Sequence, residues 1–221
     1  MPEPEQLEHT AESENSKGHG QSFAVQHYSV SGDVQEAQEG LAAAARHYQR
    51  SAQAYVDAAQ AWVERATGAS APDAQTVRAR AGADYGFAAS VYWYAGRSFA
   101  DAYDFEHAGE GMEAAAQAYV AQARIWEEDG RTQPAATLRV EAAFRYLDAQ
   151  RYYQQASDFR RNLANNLAAV GERQSAAEEQ TQADELERRA VAAGLSVNQQ
   201  GPEYHAAYQS DYKGANKSAY K

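Results

Sequence analysis

The stretch GEGMEA, Gly109 to Ala114, has the glycine spacing with which a turn cradles a dinucleotide pyrophosphate. That chemistry needs a strand before the glycines and a βαβ unit around them, and neither is written here, so a helix turn is expected. In FEH, Phe105 to His107, a carboxylate adjoins an imidazole. Neighbours on a helix point in different directions, so the pair reads as a solvated helix end rather than an acid–base couple. The six histidines are scattered, without the His-Glu-x-x-His of zinc sites or the Glu-x-x-His pairs of di-iron bundles. No G-x-x-x-x-G-K-[ST] loop offers to hold phosphates and no G-x-S-x-G elbow offers a nucleophile. The sequon NKS, Asn216 to Ser218, is a lone three-residue match. With no cysteine, disulfides, thiolate catalysis and zinc–thiolate ligation are excluded. The expectation is therefore a non-enzyme with no catalytic, cofactor or metal residues.

The elements that would carry any remaining chemistry are helical. Hydrophobic content of 44% suffices for a core, and much of it is alanine and tyrosine rather than the β-branched residues that strands favour. An all-α chain follows. A net charge of −11 argues against nucleic acid, which needs a basic stripe, and against docking on an anionic membrane. No apolar run is long enough for a membrane span, and the acidic, polar start lacks the plan of a signal peptide. A soluble, cytoplasmic protein is the expectation, without direct membrane insertion.

Residues 1–32 combine Pro, Glu, Ser and Gly with little apolar content and read as a flexible acidic arm, in which SFAVQHYSV (Ser22 to Val30) is the more apolar part. An all-helical domain is expected over 33–194. Leu41, Tyr48, Tyr55 and Trp62 recur every seven residues and place four large side chains on one helix face. At ATGASAPDA, Gly68 suits a C-terminal cap, Ser70 an N-cap and Pro72 a first helical turn. Further breaks are expected at Gly96, at HAGEG (His107 to Gly111), at EDGRTQP (Glu128 to Pro134), at Gly171 and at Gly194. Residues 195–221, with Tyr204, Tyr208, Tyr212 and Tyr220, read as a flexible tyrosine-rich tail.

YWYAGRSFADA (Tyr92 to Ala102) and IWEEDGRTQPA (Ile125 to Ala135) each place an aromatic residue four before a Gly-Arg pair, with Gly96 and Gly130 separated by 34 residues. Aligning Gly171 as a third member, Ala89, Ala123 and Ala164 stand seven before the glycines, Tyr92, Trp126 and Leu167 four before, and Ala108, Ala142 and Ala183 twelve after. Eleven before stand Tyr85, Tyr119 and, as an exception, Arg160. Large residues with a small one beside a turn are what two closely crossing helices need.

The strings YGFAASVY (Tyr85 to Tyr92), YVAQARIW (Tyr119 to Trp126) and RRNLANNL (Arg160 to Leu167) resemble the first helix of the tetratricopeptide repeat, whose period is 34. The unit lacks the family's closing proline, Glu113, Leu147 and Arg188 standing there instead, and the interval from Gly130 to Gly171 is 41. Two architectures stay open: a short solenoid of antiparallel helix pairs, or a bundle of long helices. SAQAYVDAAQAW and DGRTQPAATLRVEAAFRY, within Ala42 to Phe159, also look like the soluble attachment proteins of membrane fusion. The tetratricopeptide resemblance implies a concave groove lined by Ser90, Trp93, Tyr94, Arg124, Glu127, Glu128, Arg161 and Asn165, with the aromatics as anchors and the arginines pairing a partner's carboxylates. The expected function is an adaptor or scaffold for a partner protein or peptide. The alternative is a structural subunit that self-assembles into a homo-oligomer through its tyrosine-rich tail.

Overall fold

The structure, a computed structural model, describes residues 3–31 and 34–200. They form six helices and, among the described residues, no strand: α1 Pro4–Ser31, α2 Val34–Thr67, α3 Ala71–Asp101, α4 Phe105–Glu128, α5 Thr132–Ala169 and α6 Arg173–Gln199. Short turns make successive helices antiparallel, and each packs chiefly on its neighbours in sequence. Contacts two helices apart fall into two sets. Glu8 of α1 pairs with Arg80 of α3, and Trp93 of α3 meets Arg145 of α5. On the other side, Ala45 of α2 shares a cluster with Ala108 of α4, and Glu110 of α4 pairs with Arg189 of α6. The odd helices form one layer and the even helices the other, which is how an α-helical repeat stacks.

Each turn-to-turn unit holds one long helix, and the 34 residues from Gly96 to Gly130 begin inside α3 rather than at a turn. The last three turns share one geometry, in which a left-handed residue follows the helix: Tyr103 (φ 62°), Gly130 (φ 75°) and Gly171 (φ 90°). In each, the next amide reaches back five residues, Asp104 to Phe99, Arg131 to Trp126 and Glu172 to Leu167, satisfying a carbonyl the helix end would orphan. The structural equivalent of Gly130 and Gly171 is thus Tyr103, and Gly96 lies seven residues earlier, inside α3.

Gly96 and Gly194 do not break helices as the sequence suggests; both serve packing. A Cβ on Gly111 of α4 would stand 2.7 Å from the Gly96 nitrogen and 2.8 Å from its Cα, so α3 and α4 cross glycine on glycine. HAGEG lies within α4, whose N-cap Asp104 receives the His107 amide and its ring Nδ1. Ser70 and Pro72 do stand at the start of α3 as the sequence predicts.

The largest departure is α1, since a flexible arm is expected where residues 4–31 are helical. Its buried positions Pro4, Ala11, Gly18 and Val25 recur every seven residues, small enough to receive the large stripe of α2. Gly18 leaves room for the Tyr48 ring, and Gly40 of α2 for Val25. Polar bonds complete the seam: Ser51 Oγ donates to the Ala11 carbonyl at 2.7 Å, Trp62 Nε1 to Glu8 at 2.8 Å, and Arg50 Nε to Glu14 at 2.8 Å. Too little apolar surface is written in α1 for it to fold alone, and α2 and α3 supply the rest. At the other end α6 runs to Gln199, past the expected domain limit, and the tyrosine-rich segment 201–221 lies outside the described residues.

Candidate partner-binding face

Alternation of layers decides which of the expected groove residues share a surface. Trp93 and Tyr94 belong to α3, an odd helix, while Arg124, Glu127 and Glu128 belong to α4 in the other layer. They are not brought together. Glu127 instead accepts from Nη2 and Nε of Arg139, at 3.0 and 3.2 Å, and Arg124 lies near the buried Tyr146 phenol. Arg161, on odd helix α5, is committed to Glu187 and Asp184 of α6 rather than presented to a partner. Asn165 is exposed near the far end of α5, and the exposed Ser90 turns its hydroxyl onto the Gly86 carbonyl.

Trp93 and Tyr94 do meet, their ring centroids 5.0 Å apart, and they part in direction from there. Tyr94 leans on Tyr48 of α2 and His19 of α1 at 5.9 and 6.1 Å. Trp93 turns towards α5, half-buried, with Arg97 at 5.3 Å and Arg145 at 5.6 Å from its ring centroid. A guanidinium beside an indole face is favoured by about 0.5–1 kcal/mol where solvent reaches it. Beneath, Met112 of α4 forms the floor of a pocket of about 300 Å³ whose far wall is Asp148, Arg151 and Tyr152. Residues 93 and 97 are one helical turn apart, and 145, 148 and 152 are spaced by three and four, so each helix offers a single face.

The electrostatics of the pocket are unlike those of the chain. Three guanidiniums surround Asp148: Arg145 at 2.9 Å, Arg151 at 3.8 Å, and Arg97 farther off. Burial pushes the Asp148 carboxyl above its usual range, and the pull of Arg145, Arg151 and Arg97 does not fully restore it. Arg145 also approaches Glu141 at 3.8 Å. Arg97, which is exposed, has no carboxylate within ion-pair distance among the described residues.

A second pocket of about 460 Å³ lies farther along α5, walled by Tyr103, Phe105, Ala156 and Phe159, with Asp104, Glu106 and Arg160 also lining it. Tyr152 of the first and Phe105 of the second stack at 6.3 Å between the two. Arg160 is itself spoken for, bonded to Glu179 at 3.0 Å and Glu106 at 3.3 Å. Arg97 is the arginine of the first Gly-Arg pair, whereas Arg145, Asp148, Arg151 and Tyr152 fall outside the repeated offsets. Their signal in RYLDAQRYY, Arg145 to Tyr153, is charge interleaved with aromatics at helical spacing.

Among the described residues no group of acidic, histidine or cysteine side chains could hold a metal ion, and no helix is long and apolar enough to cross a membrane. GEGMEA holds packing glycines: a Cβ on Gly109 would collide with the Tyr153 ring at 2.6 Å. No family model matches the chain, and no curated protein does. Among solved structures, a de novo designed helical repeat protein is similar over 90% of this chain and 99% of its own, with 15% sequence identity and a TM-score of 0.36.

Proposed function

We propose that the protein is a non-enzymatic helical-repeat scaffold that binds a partner protein or peptide through the face where α3 and α5 meet. The observation that carries this reading is Trp93, an amphipathic anchor held between Arg97 and Arg145 above an open pocket. Large aromatics and arginines so placed dominate binding energies at protein interfaces. The likenesses to the tetratricopeptide repeat and to the soluble attachment proteins rest on the sequence strings alone, and the reading needs only the stacked helices of 24–38 residues. A cytoplasmic setting belongs to the same proposal.

A second reading, self-assembly of copies, is favoured by one observation. On α6, the last of the described helices, Val191 and Leu195 are 57% and 59% exposed. They lie four apart, on one face, where an array would continue.

Size-exclusion chromatography with light scattering on the full chain and on residues 1–200 separates the two. A scaffold gives a monomer or dimer in both cases, and Trp93→Ala weakens partner binding by on the order of 2 kcal/mol while leaving that mass unchanged. Large species that shrink on truncation or on Val191→Glu would replace the scaffold reading with the structural one.

A further inference from the structure

Two neighbouring pockets, one between α3 and α5 and the other between the α3–α4 turn and α5, differ in chemistry, and the difference specifies an occupant. One is lined by Arg97, Arg145 and Arg151 with Asp148 among them, and Arg145 also reaches Glu141 at 3.8 Å, so the guanidinium left to a ligand is that of Arg97. Charges beyond about 8–10 Å are screened at physiological salt, so a ligand group in the pocket feels the guanidiniums rather than the chain's total. Arg97 has no ion-pair partner among the described residues, and its planar fork suits a carboxylate taken side-on.

The other pocket has aromatic walls, its two carboxylates being committed, Asp104 to His107 and Glu106 to Arg160, and it contains a backbone outlier. Tyr103 occupies the left-handed position that its two equivalent turns give to Gly130 and Gly171, and it does so with 70% of its surface exposed. A side chain with a Cβ is disfavoured there, and so exposed a ring gains little from packing within the chain. Phe159 across the pocket is 65% exposed. Strain retained for two aromatic walls that the fold itself leaves open is the mark of a ligand site.

We propose that these two pockets receive an extended acidic segment of a partner protein, with a carboxylate of Asp or Glu against Arg97, beside Arg151, and an aromatic or large aliphatic side chain between Tyr103 and Phe159. This rests on the scaffold function proposed above and names its partner chemistry. The α5 residues lining the pockets are separated by roughly nine positions, about 13 Å of helix. An extended peptide covers that distance in about four residues, so the acidic and apolar positions stand three or four apart.

The test is selection of a random twelve-residue peptide display library on the full-length protein, followed by affinity measurement of the enriched peptides on wild type, Arg97→Gln, Arg151→Gln and Arg188→Gln. Arg97, Arg151 and Arg188 are exposed, and circular dichroism verifies that each variant keeps its helices. The expected result is enrichment of Asp or Glu three or four positions from an aromatic or large aliphatic residue. Binding should be at least threefold weaker for Arg97→Gln and Arg151→Gln, unchanged for Arg188→Gln, and weaker in higher salt. Enriched peptides without that pattern, or a loss of less than threefold, would overturn the acidic-segment proposal and leave the scaffold function standing. If the full chain selects nothing while residues 1–200 select the acidic pattern, the chain's own C-terminal segment is the occupant and the partner proposal fails. If neither selects anything, both proposals fail.

Discussion

The crossing of α3 and α4 makes a quantitative demand on one position. A Cβ at Gly111 would lie 2.7 Å from the Gly96 nitrogen, 2.8 Å from its Cα and 3.1 Å from the Tyr92 carbonyl, all backbone atoms of the facing helix. No rotamer change relieves contacts with backbone, so Gly111→Ala must push the helix axes apart by roughly half an ångström or more, since close-packed interiors tolerate little overlap. The separation loosens what the crossing holds, including the buried Met112, Ala115 and Ala116. Overpacking of this kind costs about 1–3 kcal/mol, opposed by the 0.5–1 kcal/mol that alanine gains over glycine in a helix. The net loss expected is therefore about 1–2 kcal/mol, or roughly 2–8 °C in Tm for a chain of this size. Gly20→Ala is the internal standard, because that helical position has nothing within 4 Å, and it should stabilise by about 0.5–1 kcal/mol. Urea unfolding followed by circular dichroism, with the slope checked for constancy, reads both. Equal effects of the two substitutions, or a stabilised Gly111→Ala, would refute the glycine-on-glycine crossing.

The left-handed turns supply a second test: Gly130→Ala and Gly171→Ala meet no neighbour, so each should cost only the backbone strain, about 1–2 kcal/mol in the same unfolding assay. Asp84, 4% exposed with one oxygen unpartnered and facing Glu8, is pushed up to about 7, first by burial and then by the Glu8 charge. Below pH 3.8 folded and unfolded forms both carry the proton; between 3.8 and about 7 only the folded form keeps it, so stability falls as pH rises and the full penalty stands above 7. Asp84→Asn should accordingly stabilise on the order of 1–3 kcal/mol more at pH 8 than at pH 4, measured as urea midpoints. Glu14 works in the opposite sense, since bonds from Lys17, then His47 and Arg50, hold its carboxyl down to about 2 from 4.5. Its contribution is complete above pH 4.5 and is lost as pH falls towards 2, so Glu14→Gln should speed hydrogen exchange in α1 at pH 6 and make little difference at pH 2.

Helical content and the α2 stripe were legible because Tyr48, Tyr55 and Trp62 are large and recur every seven residues on a buried face. The stripe of α1 has the same period but is built of Pro4, Ala11, Gly18 and Val25, and a small-residue seam has meaning only opposite the large residues that fill it. The repeat was found in a shifted register. Gly96 stands two helical turns before Tyr103, the true equivalent of Gly130, and a shift of seven keeps residues on one face, so the alanine and aromatic matches survived the misplacement. The antiparallel packing of successive helices is as expected, but that register sets the unit boundary seven residues early and groups Arg124, Glu127 and Glu128 with Trp93, from which the alternation of layers separates them. Trp93 and Tyr94 were visible as adjacent aromatics near a glycine. The guanidinium ring was not, because Arg97 and Arg145 are 48 positions apart and meet only when α3 and α5 sit side by side over α4.

The three tryptophans give the binding face its most direct measurement. Trp62 donates its indole N–H to Glu8, Trp126 lies under Arg131 at the end of α4, and Trp93 stands in the α3–α5 pocket, so their indole signals report three separate places. In a two-dimensional nitrogen–proton NMR titration of the full chain with a peptide selected on it, with peaks assigned by single Trp→Phe variants, the Trp93 indole signal should move while those of Trp62 and Trp126 stay. Saturable binding that shifts Trp126 or Trp62 and leaves Trp93 in place would contradict the account.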